Sequence, residues 1–215
     1  MMLKSMKLTI EDTHRTNCYV VIDEKTKEAM VVDPGGEADK VIEMVKVLNG
    51  NLKYIVLTHC HADHIGAVEQ VKCELGGEIL IHRVEAEGLR KPEINLSTII
   101  GPGQISLEAD SRLDDEDVIH LGENEFKIIH TPGHTAGGIC LYCEEEKMLI
   151  SGDTLFRGTW GRTDLPTGNM KKIMQSITNK LLVLPEDTII YPGHGKPSII
   201  REEEPIYFNL QPRKL

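Results

Sequence analysis

The segment Thr58-His59-Cys60-His61-Ala62-Asp63-His64 constrains this chain more than any other. It places three histidines and an aspartate within six positions, directly after the apolar run Tyr54-Ile55-Val56-Leu57. Such a run reads as a short buried strand, so the cluster falls where a strand ends and a loop begins. On an extended or tightly turned segment His59 and His61 point the same way, because side chains repeat every second residue. Asp63 and His64 then serve a second point nearby. Imidazole and carboxylate are ligands that suit zinc, iron or manganese, and such a set can hold a pair of metals. A following helix, marked by Val68, Val71 and Leu75 and stopped at Gly76-Gly77, offers Asp63 a capping role. Capping leaves the adjacent histidines unexplained, since dense His/Asp clusters rarely serve packing.

Three more polar positions share this placement at a strand end. His134 follows Phe126–Ile129 within Thr131-Pro132-Gly133-His134-Thr135. Asp153 follows Met148-Leu149-Ile150, and His194 follows Ile189-Ile190-Tyr191. Each has glycine beside it, where a backbone turns sharply or approaches a ligand closely. Singly, each reads as an ordinary turn. Together with the first cluster they describe one rim of a sheet presenting a metal site. His14, His82, His120 and His130 match no such position, and His130 is read as structural.

The remaining pattern fixes a fold class. Val20–Ile22 and Met30–Val32 read as paired strands around Asp23-Glu24-Lys25, and the second runs into the turn Asp33-Pro34-Gly35-Gly36. Ala38, Val41, Ile42, Val45 and Leu48 mark an amphipathic helix stopped by Gly50. The strand at 54–57, a helix over about 65–75 and a strand at 79–81 follow in order. Residues 83–117 are irregular: a short helix, a connection from Asn95 to Gly103, then an acidic loop at Asp114–Asp117. A stretch of this length is either a flap over a site or plain irregular structure. Strands are expected near 118–121, 125–130, 139–143, 148–152 and 188–191. Met170, Ile173, Met174, Ile177 and Leu181 make a further helix whose methionines face the core by spacing. Strands thus outnumber helices without strict alternation, which favours a layered α/β sandwich over a Rossmann sheet.

Composition excludes several functions. The net charge of −10 on 215 residues argues against nucleic acid or an anionic membrane as partner. No apolar stretch approaches membrane-spanning length and the first residues have no signal core, so a cytoplasmic protein is expected. Five cysteines fit a reducing compartment. Cys140 and Cys143 have C-x-x-C spacing but lie on a strand, where residues three apart face opposite sides. A structural role is therefore expected for both. Cys60, between two candidate ligands, is expected to point away from them and to pack.

His59-x-His61-x-Asp63-His64, followed by Gly-His134, Gly-Asp153 and Gly-His194, resembles the metallo-β-lactamase fold superfamily in order and rough spacing, from Asp33 to His194. The resemblance implies a four-layer αββα sandwich, taken as one domain over residues 1–215, with the site at one edge between two sheets. It implies that His59, His61 and His134 hold one metal, that Asp63, His64 and His194 hold the other, and that Asp153 bridges them. Two divalent ions, zinc foremost with iron or manganese as alternatives, would share a water and generate hydroxide at neutral pH. Asp63 is also the candidate to orient that hydroxide or accept its proton.

Gly152-Asp153-Thr154-Leu155-Phe156 and Gly161-Arg162-Thr163-Asp164 are similar to the glyoxalase II (hydroxyacylglutathione hydrolase) branch. Those enzymes hydrolyse S-D-lactoylglutathione, which implies a small-molecule thioester as partner. The chain departs from the longer members, and the extra C-terminal helical region that they carry is not expected here. Their tyrosine two residues beyond the last ligand histidine is Lys196 here, so Arg162 and Lys196 become the candidate grips for a substrate carboxylate. Persulfide dioxygenases also share the fold and similar motifs. That alternative implies one iron on His59, His134 and Asp153. The oligomeric state is not readable, and the tail 201–215 is read as a docking helix or a partner contact.

Overall fold

In a computed structural model, residues 3–11, 13–100 and 103–208 are described. The amino-terminal sheet contains β1 (Leu3–Ile10), β2 (Thr16–Asp23), β3 (Glu28–Val32), β4 (Asn51–Leu57), β5 (Glu78–His82) and β6 (Ser111–Leu113), in that spatial order. The first two pairings are antiparallel and the next three parallel, linked by α1 (Ala38–Val47), α2 (Ala62–Ile65), α3 (Val68–Leu75) and α4 (Ala86–Leu89).

The second sheet is also mixed. It is assembled from β7 (Val118–Leu121), β8 (Asn124–His130), β9 (Ile139–Cys143) and β10 (Met148–Gly152). A small hairpin, β11 (Leu155–Phe156) and β12 (Thr159–Trp160), leads to α5 (Met170–Ser176). The chain then returns through β13 (Ile189–Pro192), parallel to β10, and β14 (Ser198–Ile199) to α6 (Ile200–Phe208). The second sheet has the spatial order β14-β13-β10-β9-β8-β7.

Strand alternation explains why four layers form. On β2, Cys18 and Val20 face α1 and α3, whereas Tyr19 and Val21 face the second sheet. On β9, Leu141 and Cys143 face inward between the sheets, whereas Cys140 and Tyr142 face α5 and α6. Both faces of each sheet are thus apolar, and each needs a cover. Among the described residues no helix is long and apolar enough to cross a membrane.

Three expectations need correction. The helix expected over 65–75 is two pieces, because Gly66 packs on Gly35 and the Ala67 amide donates to Pro34 O at 2.9 Å. The helix expected through Leu181 becomes a wider π turn over Ile177–Leu181, where Leu182 N donates to Ile177 O at 2.9 Å. Met170, the first residue of α5, is half exposed rather than in the core. The tail reading divides. α6 docks on the second sheet through Ile200 and Tyr207, whose hydroxyl donates to Thr159 O, and residues 209–215 lie outside the described residues. Cys140 and Cys143 are free thiols on opposite faces, as their spacing implies, and Cys60 is buried in the helix-side core.

Candidate metal centre

Five strands end at one rim, and the residues just beyond them converge. β4 delivers the 58–64 segment, β8 leads to His134, β10 to Asp153 and β13 to His194, while β3 delivers Asp33. His59, His61 and His134 form one group whose ligand atoms lie within 4.8 Å of one another. Asp63, His64 and His194 form a second group by the same measure. Asp153 lies between them. Its Oδ2 is 3.5 Å from His134 Nε2 and 3.4 Å from His194 Nε2, and its Oδ1 is 3.4 Å from His64 Nε2.

The outer hydrogen bonds aim these rings inward. His134 Nδ1 donates to the Arg162 carbonyl at 2.7 Å, which turns Nε2 toward the centre. Asp33 anchors one histidine of each group. It accepts from His64 Nδ1 at 2.9 Å and from Thr58 Oγ1 at 2.7 Å, and that hydroxyl accepts in turn from His59 Nδ1 at 3.1 Å. A fixed Nδ1–H leaves Nε2 as the free donor atom, the usual way a protein selects a ligating tautomer. The second rim is braced from β2. Asn17 Nδ2 donates to the carbonyls of Pro192 (2.9 Å) and Gly195 (3.0 Å), and Tyr19 Oη to that of Pro192 (2.6 Å). Gly193 is required by close approach, since a Cβ there would lie 2.2 Å from Asp153 Oδ1.

The donor set fits divalent cations. His59 Nε2, His61 Nε2, His64 Nε2 and Asp153 Oδ1 are all buried without a hydrogen-bond partner in the protein. A buried polar atom left so costs on the order of 1–3 kcal/mol, and here four of them converge on one place. The protonation pattern has the same origin. Burial, reinforced by His134, pushes His61 down to about 3, and burial with the neighbouring histidines holds His59 well below the usual imidazole range. Burial also acts to lower His64, but Asp153, Asp33 and Asp63 outweigh it and raise that ring to about 10. Burial would raise the Asp153 carboxyl, yet His64, His194 and His134 hold it well below the carboxylate range. The clusters are consistent with a binuclear metal site.

A cleft of about 440 Å³ opens over both groups, walled by Leu96, Ile100, Phe156, Arg162 and Leu165. The 95–100 segment therefore does line the site, as a flap would. The acidic loop at 114–117 does not: its Asp115 accepts from the His130 amide and pairs with Lys180. Arg162 borders the cleft with its guanidinium held by Asp164 through two bonds of 2.8 and 2.7 Å. Lys196 is exposed and is not among the residues lining the cleft. Asp63 does not cap its helix; its Oδ2 accepts from Thr16 Oγ1 at 3.3 Å.

Sequence reasoning missed Asp33 as an anchor and His14 as a cleft residue. Asp33 carried a signal, since it too directly follows a strand. His14, on the β1–β2 turn, carried none.

The profile of the metallo-beta-lactamase superfamily matches residues 12–194. The chain belongs to that superfamily, and its class is that of a metal-dependent hydrolase. Hydroxyacylglutathione hydrolase GloC of Haemophilus influenzae is 37% identical over 87% of this chain and 89% of its own. Among crystal structures, BLEG-1 B3 metallo-beta-lactamase is similar at a TM-score of 0.87 and 37% identity, over 95% of this chain and 97% of that one. TTHA1623, solved in a di-iron-bound form, is similar at 0.80 and 28% identity, over 93% and 96%.

Proposed function

We propose that this protein is a binuclear thioesterase that hydrolyses S-D-lactoylglutathione or a related acyl-thiol. The observation that carries the reading is Asp153, set between the two ligand groups with its Oδ1 buried and without a hydrogen-bond partner. His59, His61 and His134 would hold one divalent ion, Asp63, His64 and His194 the other, and Asp153 both. Zinc heads the candidates, with iron and manganese suited to the same donors. When bound, such a pair supplies hydroxide at neutral pH and a Lewis acid for the carbonyl oxygen.

The chain's own residues do the rest. Asp33, Arg162 O and Thr58 keep the imidazoles aimed, so no reorganisation is needed at the moment of reaction. Asp63 takes a proton from the attacking water at its carboxylate. Leu96, Ile100, Phe156 and Leu165 exclude bulk water and seat the acyl-thiol over both groups. A C–O bond forms, the C–S bond breaks, and the thiolate leaves without an acid because thiols are far more acidic than alcohols. Arg162 serves a substrate carboxylate only by exchanging it for Asp164, and Lys196 meets only a part of the substrate that extends outside the cleft.

A relative named for hydroxyacylglutathione supports the substrate class. A single-iron dioxygenase would leave the Asp63, His64 and His194 group without a task, and the buried His64 Nε2, which has no hydrogen-bond partner, speaks for its use. The test is thiol release by metal-analysed protein. Rapid hydrolysis of S-D-lactoylglutathione is expected. Hydrolysis of another acyl-thiol alone would move the carrier, and oxygen consumption with a persulfide by one-iron protein would replace the reading.

A further inference from the structure

Glu85 is a buried carboxylate that the chemistry above does not use. It lies in the turn between β5 and α4 and is 3% exposed. Its Oε2 accepts from the Cys60 amide at 3.1 Å, and its Oε1 accepts from the Gly137 amide at 2.7 Å. Cys60 is the residue between His59 and His61. Gly137 lies in the loop that carries His134. One side chain from the first sheet's margin therefore ties the ligand loop of β4 to the ligand loop of the second sheet.

Both loops pack closely on Glu85 and the helix that follows it. A Cβ on Gly137 would stand 2.9 Å from Glu85 Cγ, and one on Gly88 would stand 2.7 Å from Cys60 Sγ. The Ala136–Gly137 peptide is held at both polar ends. Its N–H donates to Glu85, and its carbonyl accepts from His130 Nε2 at 3.0 Å. His130 is itself stacked on His82, with ring centroids 4.2 Å apart and planes 12° from parallel. Across the same two loops, His61 Nδ1 and His134 Nε2 are 2.9 Å apart.

We infer that Glu85 is a positioning residue that locks the His59, His61 and His134 group by clamping the two loops that supply it. A charge-assisted pair of bonds to buried amides is among the stronger fixings available to a backbone. Removing it leaves two buried N–H groups without an acceptor and lets the loops drift apart. The inference rests on the metal-centre reading for its consequence but not for its geometry.

The experiment uses Glu85→Gln and Glu85→Ala, with Glu87→Gln, at the exposed position of α4, as control. Each full-length chain is stripped and titrated with zinc. Glu85→Gln is expected to stay folded by circular dichroism and to bind its tightest ion about 10–100-fold more weakly, as outer-partner losses do. Its cobalt-loaded visible spectrum should shift, and amide exchange at Cys60 and Gly137 should quicken. Glu87→Gln should match the parent in every respect. Parental zinc affinity together with parental exchange at both amides would overturn the inference. Should the parent itself bind no zinc, the metal-centre reading falls, and the exchange rates alone still decide whether Glu85 clamps the loops.

Discussion

The two ligand groups are built of similar side chains and are held very differently. His59, His61 and His134 are all buried, and burial keeps His59 and His61 neutral. In the Asp63, His64 and His194 group, three nearby aspartates raise His64 to about 10 against the effect of burial, and His194 is also raised. The His194 side chain is 25% exposed and borders the cleft. The first group is therefore a buried cage with two neutral imidazoles, and the second is proton-loaded at His64 and open on one side. A cation entering the first displaces no proton from His59 or His61. A cation entering the second must expel a proton, so the same donor chemistry gives two affinities with different pH behaviour.

Breaking the link between the groups has the largest effect. Asp153→Ala should lower thioester hydrolysis by more than about 100-fold, beyond the loss usual for an outer partner. Metal analysis should also show less than the parental content. Asp33→Asn comes next. Its amide has a single acceptor oxygen, whereas the carboxylate accepts the Thr58 amide at Oδ1 and both Thr58 Oγ1 and His64 Nδ1 at Oδ2, so one side of the anchor is lost and the aim of His59 and His64 slackens. A fall of about 10–100-fold in affinity for both ions is expected, read by competition with a chromophoric chelator.

The comparison itself is sharpened by pH. His64 is protonated below about 10, so the second ion should bind about tenfold more tightly for each pH unit between about 6 and about 8. Burial holds His59 and His61 neutral, so those two ligands release no proton to the first ion over that window and its affinity should rise less steeply. Calorimetric titrations at the two ends check this, and equal slopes for both ions would erase the distinction. The smallest change is Asn17→Ala, which loosens only the 192–195 loop. It should weaken the second ion alone, by about threefold to tenfold, the range of one or two ordinary hydrogen bonds.

The candidate ligands and the residues that support them differed in how legible they were. Each candidate ligand directly follows an apolar strand, and strand ends are readable from a few neighbouring residues. The ligand roles of those positions are the proposal made above; their convergence is a property of the fold. The parts that did not show in the sequence depend on partners far along the chain. Glu85 joins Cys60 to Gly137, and Asn17 reaches Pro192 and Gly195, so no local spacing announces either. Asp33 read as the start of a turn, because Asp-Pro-Gly-Gly is turn chemistry, and its backbone does adopt a left-handed φ of 53°. Its side chain nevertheless serves two histidines. The helix break at Gly66 follows from contact with Gly35, a close approach that periodicity in 65–75 cannot reveal. The mouth was the least legible region. Arg162 and Lys196 lie close to candidate ligands in sequence, yet only Arg162 borders the cleft, and Asp164 already holds it.

The central claim is that two ions joined at Asp153 act together. Metal-free protein should be titrated with zinc while thiol release from S-D-lactoylglutathione is followed at each addition. The account predicts little turnover up to about one equivalent, as the His59, His61 and His134 group fills, and a steep rise toward about two equivalents. Full activity reached at a single equivalent, with no further gain at the second, would contradict it.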